Sequence, residues 1–213
     1  LNITVVDHRG SEFSTSAQVL ADAVKNSAFV AFYDAAAVEP DNEVRPLDWA
    51  VSTLLQAPIR RYAPLKDLFE SDFQKWTACN QALQGLGPDV PLESEDAVGR
   101  RQNVKACFKA FMAPSGIGPS IAAKTLHKKR PQLIPVVDDF VCTVLTGRRG
   151  VSLGYSTITD VVFDSFRPQL LSNRDALRET SKLLGDESAL SSARLLDIAI
   201  WMHADGNKAD YGL

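Results

Sequence analysis

The chain has 213 residues, 45% of them hydrophobic and 23% charged, and a net charge of −3. These values sit near the globular average and exclude collagen-like, coiled-coil and disordered readings. The net charge hides an asymmetry: residues 100–150 hold ten Lys and Arg against two Asp, a local +8 that leaves −11 for the rest.

In chain order, the β-branched opening (Ile3, Thr4, Val5, Val6) predicts a short strand. Ser16 can cap a helix that carries Val19, Leu20, Ala23 and Val24. Residues 29–33 are a short apolar run compatible with helix or strand, and residues 39–45, with Pro40, read as a loop. Pro46 suits a first helical position, with Leu47, Val51, Leu54 and Leu55 spaced as one buried stripe. Pro58 should end that helix and Pro64 begin another. Phe73, Trp76 and Leu83 lie on related faces of a helix over residues 72–83.

The Gly/Pro-rich stretch 84–91 reads as a turn or linker and is the best candidate internal boundary. One long helix is expected over residues 93–112. Val104, Phe108 and Phe111 would point inward, and Arg101, Lys105 and Lys109 would form a basic stripe opposite. Residues 160–171, 175–184 and 188–203 are also helical in pattern, with Asp175 as a cap and Gly185 as a stop. The expected fold is mainly α, with a short strand pair near the N-terminus. It is read as a single helical domain over residues 1–213, with a candidate subdivision into 1–88 and 89–213.

Cys79, Cys107 and Cys142 are odd in number, far apart and free of any CxxC pair, so buried reduced thiols are expected. His8, His127 and His203 have no metal-ligand spacing, and His127, in a basic helix, reads as a surface residue or phosphate neighbour. Neither a signal peptide nor a membrane span is visible, which suggests a cytoplasmic protein with no membrane partner.

The stretch with chemistry in it is residues 114–147, PSGIGPSIAAKTLHKKRPQLIPVVDDFVCTVLTG. A tight Gly116-Ile117-Gly118 turn precedes Pro119, which suits the start of a helix packed through Ile121, Ala122 and Leu126. A helix start favours an anion, and Lys124, Lys128 and Lys129 follow, so a phosphate is a reasonable ligand. Asp138 follows an extended Pro-Val-Val run. It can act as a helix N-cap, a catalytic carboxylate or another binding group. Asp139 could take the chemical role instead. Adjacent acids on a helix point about 100° apart and do not converge on one metal ion. Asp197 and Trp201 lie on an apolar helix and read as core packing.

These residues resemble the helix-hairpin-helix DNA glycosylase superfamily over about 35 residues. The hairpin corresponds to residues 114–122, and Pro135-Val136-Val137-Asp138 corresponds to the motif ending in the family's catalytic aspartate. The runs KRPQLIPVVDDFV and RLLDIAIW also resemble an uncharacterised bacterial family. The glycosylase resemblance implies a helix-hairpin-helix bundle that binds double-stranded, damaged DNA as a repair protein. Gly116, Gly118, Ser120, Lys124 and Lys128 would be the DNA-binding residues and Asp138 the carboxylate. It implies hydrolysis of the N-glycosidic bond of a damaged base, with no cofactor beyond a monovalent cation at the hairpin.

The alternative is a catalytically inactive helix-hairpin-helix module for DNA or protein interaction. Ser120 stands where lyase-type members carry lysine, so a Schiff-base mechanism is not implied there. Asp139-Phe140 replaces the family's Thr-His, and Thr143 stands at the position of its arginine. A third reading drops nucleic acid and pairs the basic segment with the chain's own acidic flanks or an acidic partner protein.

Overall fold

The computed structural model describes residues 1–36, 38, 40–55, 74–114, 116–185 and 190–207. The expectations at Pro58, Pro64, Phe73 and Ser115, and those for the side chain of Trp76, lie outside the described residues.

Two short strands, β1 (Asn2–Val6) and β2 (Glu12–Ser16), pair antiparallel with Asn2 opposite Ser16 and Val6 opposite Glu12. Alternation puts Ile3 and Val5 into the core. The open edge of β1 is closed by side-chain amides: Asn173 bonds both the N–H and the C=O of Thr4, and Gln169 does the same for Val6. Ser16 caps α1 (Ala17–Asn26) through the Val19 amide, as its position predicts. Residues 29–33 are helical, within α2 (Ala28–Ala35), which Ser27 caps.

Pro46 opens α3 (Pro46–Ala50), but the helix tightens to a 3₁₀ turn over Val51–Leu55. That change of pitch breaks the expected apolar stripe: Val51 is buried, whereas Leu47 is 60% exposed and Leu54 is also exposed. Further on, α4 (Gln74–Leu86) ends at a turn with Gly87 at φ 79°. The expected helix over 93–112 is two: α5 (Glu95–Gly99), capped by Ser94, and α6 (Arg101–Phe111). They part at Arg100, whose φ/ψ of −94°/2° leaves the helical region while its guanidinium bonds the Leu86 and Pro88 carbonyls.

After a turn comes α7 (Pro119–Lys129), then an extended stretch into α8 (Asp139–Thr146) and a 3₁₀ turn at Gly150–Ser152. The expected helix at 160–171 is composite: α9 (Tyr155–Asp160), a π-helical turn Val161–Phe166 and α10 (Arg167–Ser172). For α11 (Arg174–Leu184) the N-cap residue is Asn173, so Asp175 lies in the first turn rather than capping, while Gly185 ends the helix at φ 83°. Ser191 caps α12 (Ser192–Gly206).

The fold is mainly helical with one small N-terminal sheet. The larger of two apolar clusters among the described residues runs from Ile3 and Leu20 through Phe108, Phe111 and Leu126 to Leu196 and Ile200, and so spans both sides of residues 84–91. The three cysteines are free and buried, and burial raises each thiol pKa, with Cys79 and Cys107 pushed up to about 12. Among the described residues no helix is long and apolar enough to cross a membrane.

Candidate functional site

The turn between α6 and α7 starts where Ala113 leaves the helix and Pro114 accepts from the Ile117 amide. Gly116 takes φ 81°, a left-handed conformation that disfavours any Cβ. Gly118 has no such constraint. It is the N-cap of α7 at φ −92°, and a Cβ there would meet nothing within 4 Å. Its backbone conformation does not demand glycine, and the space beside it is open.

That space is a partly open cavity of 780 Å³. Gly116, Gly118 and Ser120 form one rim. Asp138 and Asp139 from the start of α8 form another side, with Lys124, Arg194 and Asp197 among the other lining residues. Phe140 and Trp201 supply an aromatic wall, their rings 6.2 Å apart and inclined at 57°. Gly116, Gly118 and Asp138 therefore line one cavity.

Asp138 does two things at once. Its Oδ1 accepts from the Phe140 and Val141 amides, capping α8. Its Oδ2 lies 3.7 Å from the Lys124 ammonium, and the side chain is 15% exposed. Lys124 is itself 4% exposed and donates to the Leu55 carbonyl at 2.9 Å. Burial pulls the Lys124 pKa below the usual lysine value, with the Asp138 carboxylate acting against that shift.

The extended run into Asp138 is held from below. The Val136 amide donates to Asp197 Oδ2 at 3.1 Å, while Asp197 Oδ1 accepts from Arg194 at 2.6 Å. Arg194 also grips Asp34 through Nε and NH2. Burial pushes the Asp197 carboxyl up to about 7, opposed by the Arg194 guanidinium and the Val136 amide. The sequence pattern marks Asp197 as a core contact. It is a buried one, and it also anchors the segment that carries Asp138.

The basic segment departs most from expectation. Lys124 points into the cavity rather than out to solvent. Lys128 donates to the Tyr33 and Asp34 carbonyls at the end of α2 and sits 5.1 Å from the Tyr33 ring centre. Lys129, 0% exposed, pairs with Asp48 at 2.8 Å and Asp41 at 3.2 Å. Arg130 bonds the carbonyls of Gly87, Pro40 and Asp41. Arg101 is clamped by Asp160 and Asp164, so the expected stripe on α6 has its first cation neutralised.

The exposed cationic face expected of Lys124 and Lys128 is therefore absent from α7; both ammonium groups have acceptors within the fold. Nor is His127 at the surface. It is buried, bonded to the Ile134 carbonyl at 2.6 Å and stacked on Tyr33, and burial lowers its pKa to about 3. Sequence alone could not reveal these acceptors, because most come from residues 33–55, far from α7 in the chain.

Among the described residues no group of three or more His, Cys, Asp or Glu side chains could hold a metal ion. For a monovalent cation the hairpin would have to offer main-chain carbonyls. Two of these, at Pro114 and Gly118, already accept from Ile117 and Ala122.

A family model described as a family of unknown function, DUF6308, matches residues 15–204, and the chain belongs to that family. No curated protein and no solved structure matches it.

Proposed function

We propose that this member of the DUF6308 family is a DNA-binding protein of helix-hairpin-helix type that receives an extruded nucleotide in its cavity and hydrolyses the N-glycosidic bond. The observation that carries the reading is that Asp138 and the Gly116–Gly118 turn line the same 780 Å³ cavity, with one carboxylate oxygen left over from capping. A base inside a duplex cannot be reached by side chains, so a pocket for it is a requirement of the chemistry.

In this reading the base lies near Phe140 and Trp201, and the sugar lies beside Asp138. The C1′–N bond breaks with growing positive charge on the sugar, which the Asp138 carboxylate stabilises. Water adds to C1′, giving up a proton to Asp138, and the base leaves with the bonding electron pair and is then protonated. The Lys124 ammonium, 3.7 Å from Asp138 Oδ2, supplies positive charge near a departing anionic base. Asp197 and Arg194 are positioning residues: they fix the Val136 backbone and with it the approach to Asp138.

The test is a base-release assay on short duplexes that each carry one modified base or a mismatch. Asp138→Asn keeps an oxygen for the α8 cap and removes the charge. The wild-type protein should release free base from at least one duplex, and Asp138→Asn should bind that duplex with unchanged affinity and release none. Equal release by the variant contradicts the role given to Asp138.

The second reading, an inactive interaction module, is favoured by one observation: Lys124, Lys128, Lys129 and Arg130 all have acceptors inside the protein. Duplex binding with no base release from any substrate would select it.

A further inference from the structure

The segment Gly147-Arg148-Arg149-Gly150 follows α8 and is held between two steric constraints. Gly147 has φ 69°, and a Cβ there would lie 2.7 Å from the His8 ring. At Gly150 a Cβ would come within 3.1 Å of Asp139 Oδ1 and Cys142 Sγ and within 3.3 Å of the Asp138 carbonyl carbon. Contacts this short are tighter than ordinary van der Waals separations, so the loop sits directly on the residues that open α8. His8 in turn is fixed by its amide, which donates to the Val144 carbonyl at 2.9 Å.

Asp139 completes the attachment. One oxygen accepts from the Val151 amide at 2.7 Å and the other from Arg149 at 3.0 Å. Both Asp139 and Val151 line the cavity. Arg149 is thus held at the cavity wall with its side chain 58% exposed, and Arg148 beside it is exposed. Most of the other cations in residues 100–150 are held against the fold; Arg149 is paired as well, with Asp139, but more than half of its side chain stays in solvent, and Arg148 precedes it as an exposed residue.

We infer that Arg148 and Arg149 form the phosphate-contacting rim of the cavity and take the DNA backbone phosphates that flank the nucleotide within it. The inference rests on the DNA reading above. It moves the cationic contact from α7 to the loop after α8. Guanidinium groups suit the task because they match phosphate oxygens with paired N–H donors and are weakly hydrated.

The experiment measures the affinity of the full chain for a short duplex carrying an abasic-site analogue, as a function of salt between about 50 and 200 mM. Arg148→Ala and Arg149→Ala should each reduce the slope of log affinity against log salt by about one, and Arg149→Lys should retain the wild-type slope. The double variant Arg178→Ala with Lys182→Ala removes two exposed cations from α11, which does not line the cavity, and should leave the slope unchanged. Unchanged slopes in both arginine variants overturn the inference while leaving the DNA reading intact. An equal loss in the α11 variant also overturns it, because net charge alone would then explain the effect. A wild-type chain that binds no duplex removes the DNA reading, and the inference with it.

Discussion

Asp138 caps α8 with one carboxylate oxygen and turns the other toward Lys124. Its position after an extended run marks it in the sequence as a helix cap, and that role is present through Oδ1. Its second oxygen, facing Lys124, could not be foreseen, because Lys124 reads in sequence as one of the lysines offered to a phosphate. His127 gives a separate test of how well the site's interior is described. Its folded pKa of about 3 lies below the ordinary 6.5, so between these values the unfolded chain binds a proton that the folded chain does not. Its contribution to stability is therefore lost as pH falls below about 6.5, by up to about 1.4 kcal/mol per pH unit. Asp197 acts with the opposite sign. Its folded pKa of about 7 exceeds the ordinary 3.8, so it favours the folded state at low pH and loses that contribution as pH rises through 7. The two effects oppose each other between about pH 4 and 6.5. Urea unfolding of His127→Gln should then show stability rising more steeply than in the wild type as pH falls from 7 to about 4. Parallel curves for the two proteins would contradict the burial assigned to His127.

At the scale of elements, helix type was legible, but continuity was not. Capping residues and apolar spacing located α1, α7 and α12 to within a few residues. The breaks at Arg100 and Val51, and the π-helical turn at Val161–Phe166, were invisible because tertiary contacts rather than local propensity impose them. Arg100 leaves the helix to bond carbonyls of residues 86 and 88, and Arg101 reaches Asp160 and Asp164 across the π-helical turn. The hairpin itself allows a sharper distinction between its glycines. Gly116→Ala should cost about 1–2 kcal/mol, since φ 81° is unfavourable for a side chain. Gly118→Val should cost no more than about 1 kcal/mol, because the new side chain meets open space at an ordinary φ. It should nevertheless weaken duplex binding, since the added side chain enters the cavity beside the proposed nucleotide. Thermal unfolding and fluorescence anisotropy on the same pair of variants check both statements; unchanged affinity for Gly118→Val would remove the hairpin from the binding face.

For the whole molecule, the contrast between +8 in residues 100–150 and −11 elsewhere was legible, but its use was not. Asp41 and Asp48 neutralise Lys129, Asp160 and Asp164 neutralise Arg101, and carbonyls of residues 33–55 absorb Lys124 and Lys128. Much of the asymmetry is therefore a folding device that ties the N-terminal elements to α7. The exposed cations include Arg148 and Arg149, the latter paired with Asp139 of the cavity wall. DNA affinity should accordingly depend on few cations, with a modest salt slope and a large share of binding from the nucleotide in the cavity. The most direct measurement is fluorescence anisotropy of the full chain with undamaged, mismatched and abasic-analogue duplexes of one sequence at two salt concentrations. The abasic-analogue duplex should bind most tightly, because it extrudes at least cost, and all three should weaken as salt rises. Absence of binding to any duplex at low salt would contradict it and leave the hairpin as a packing motif.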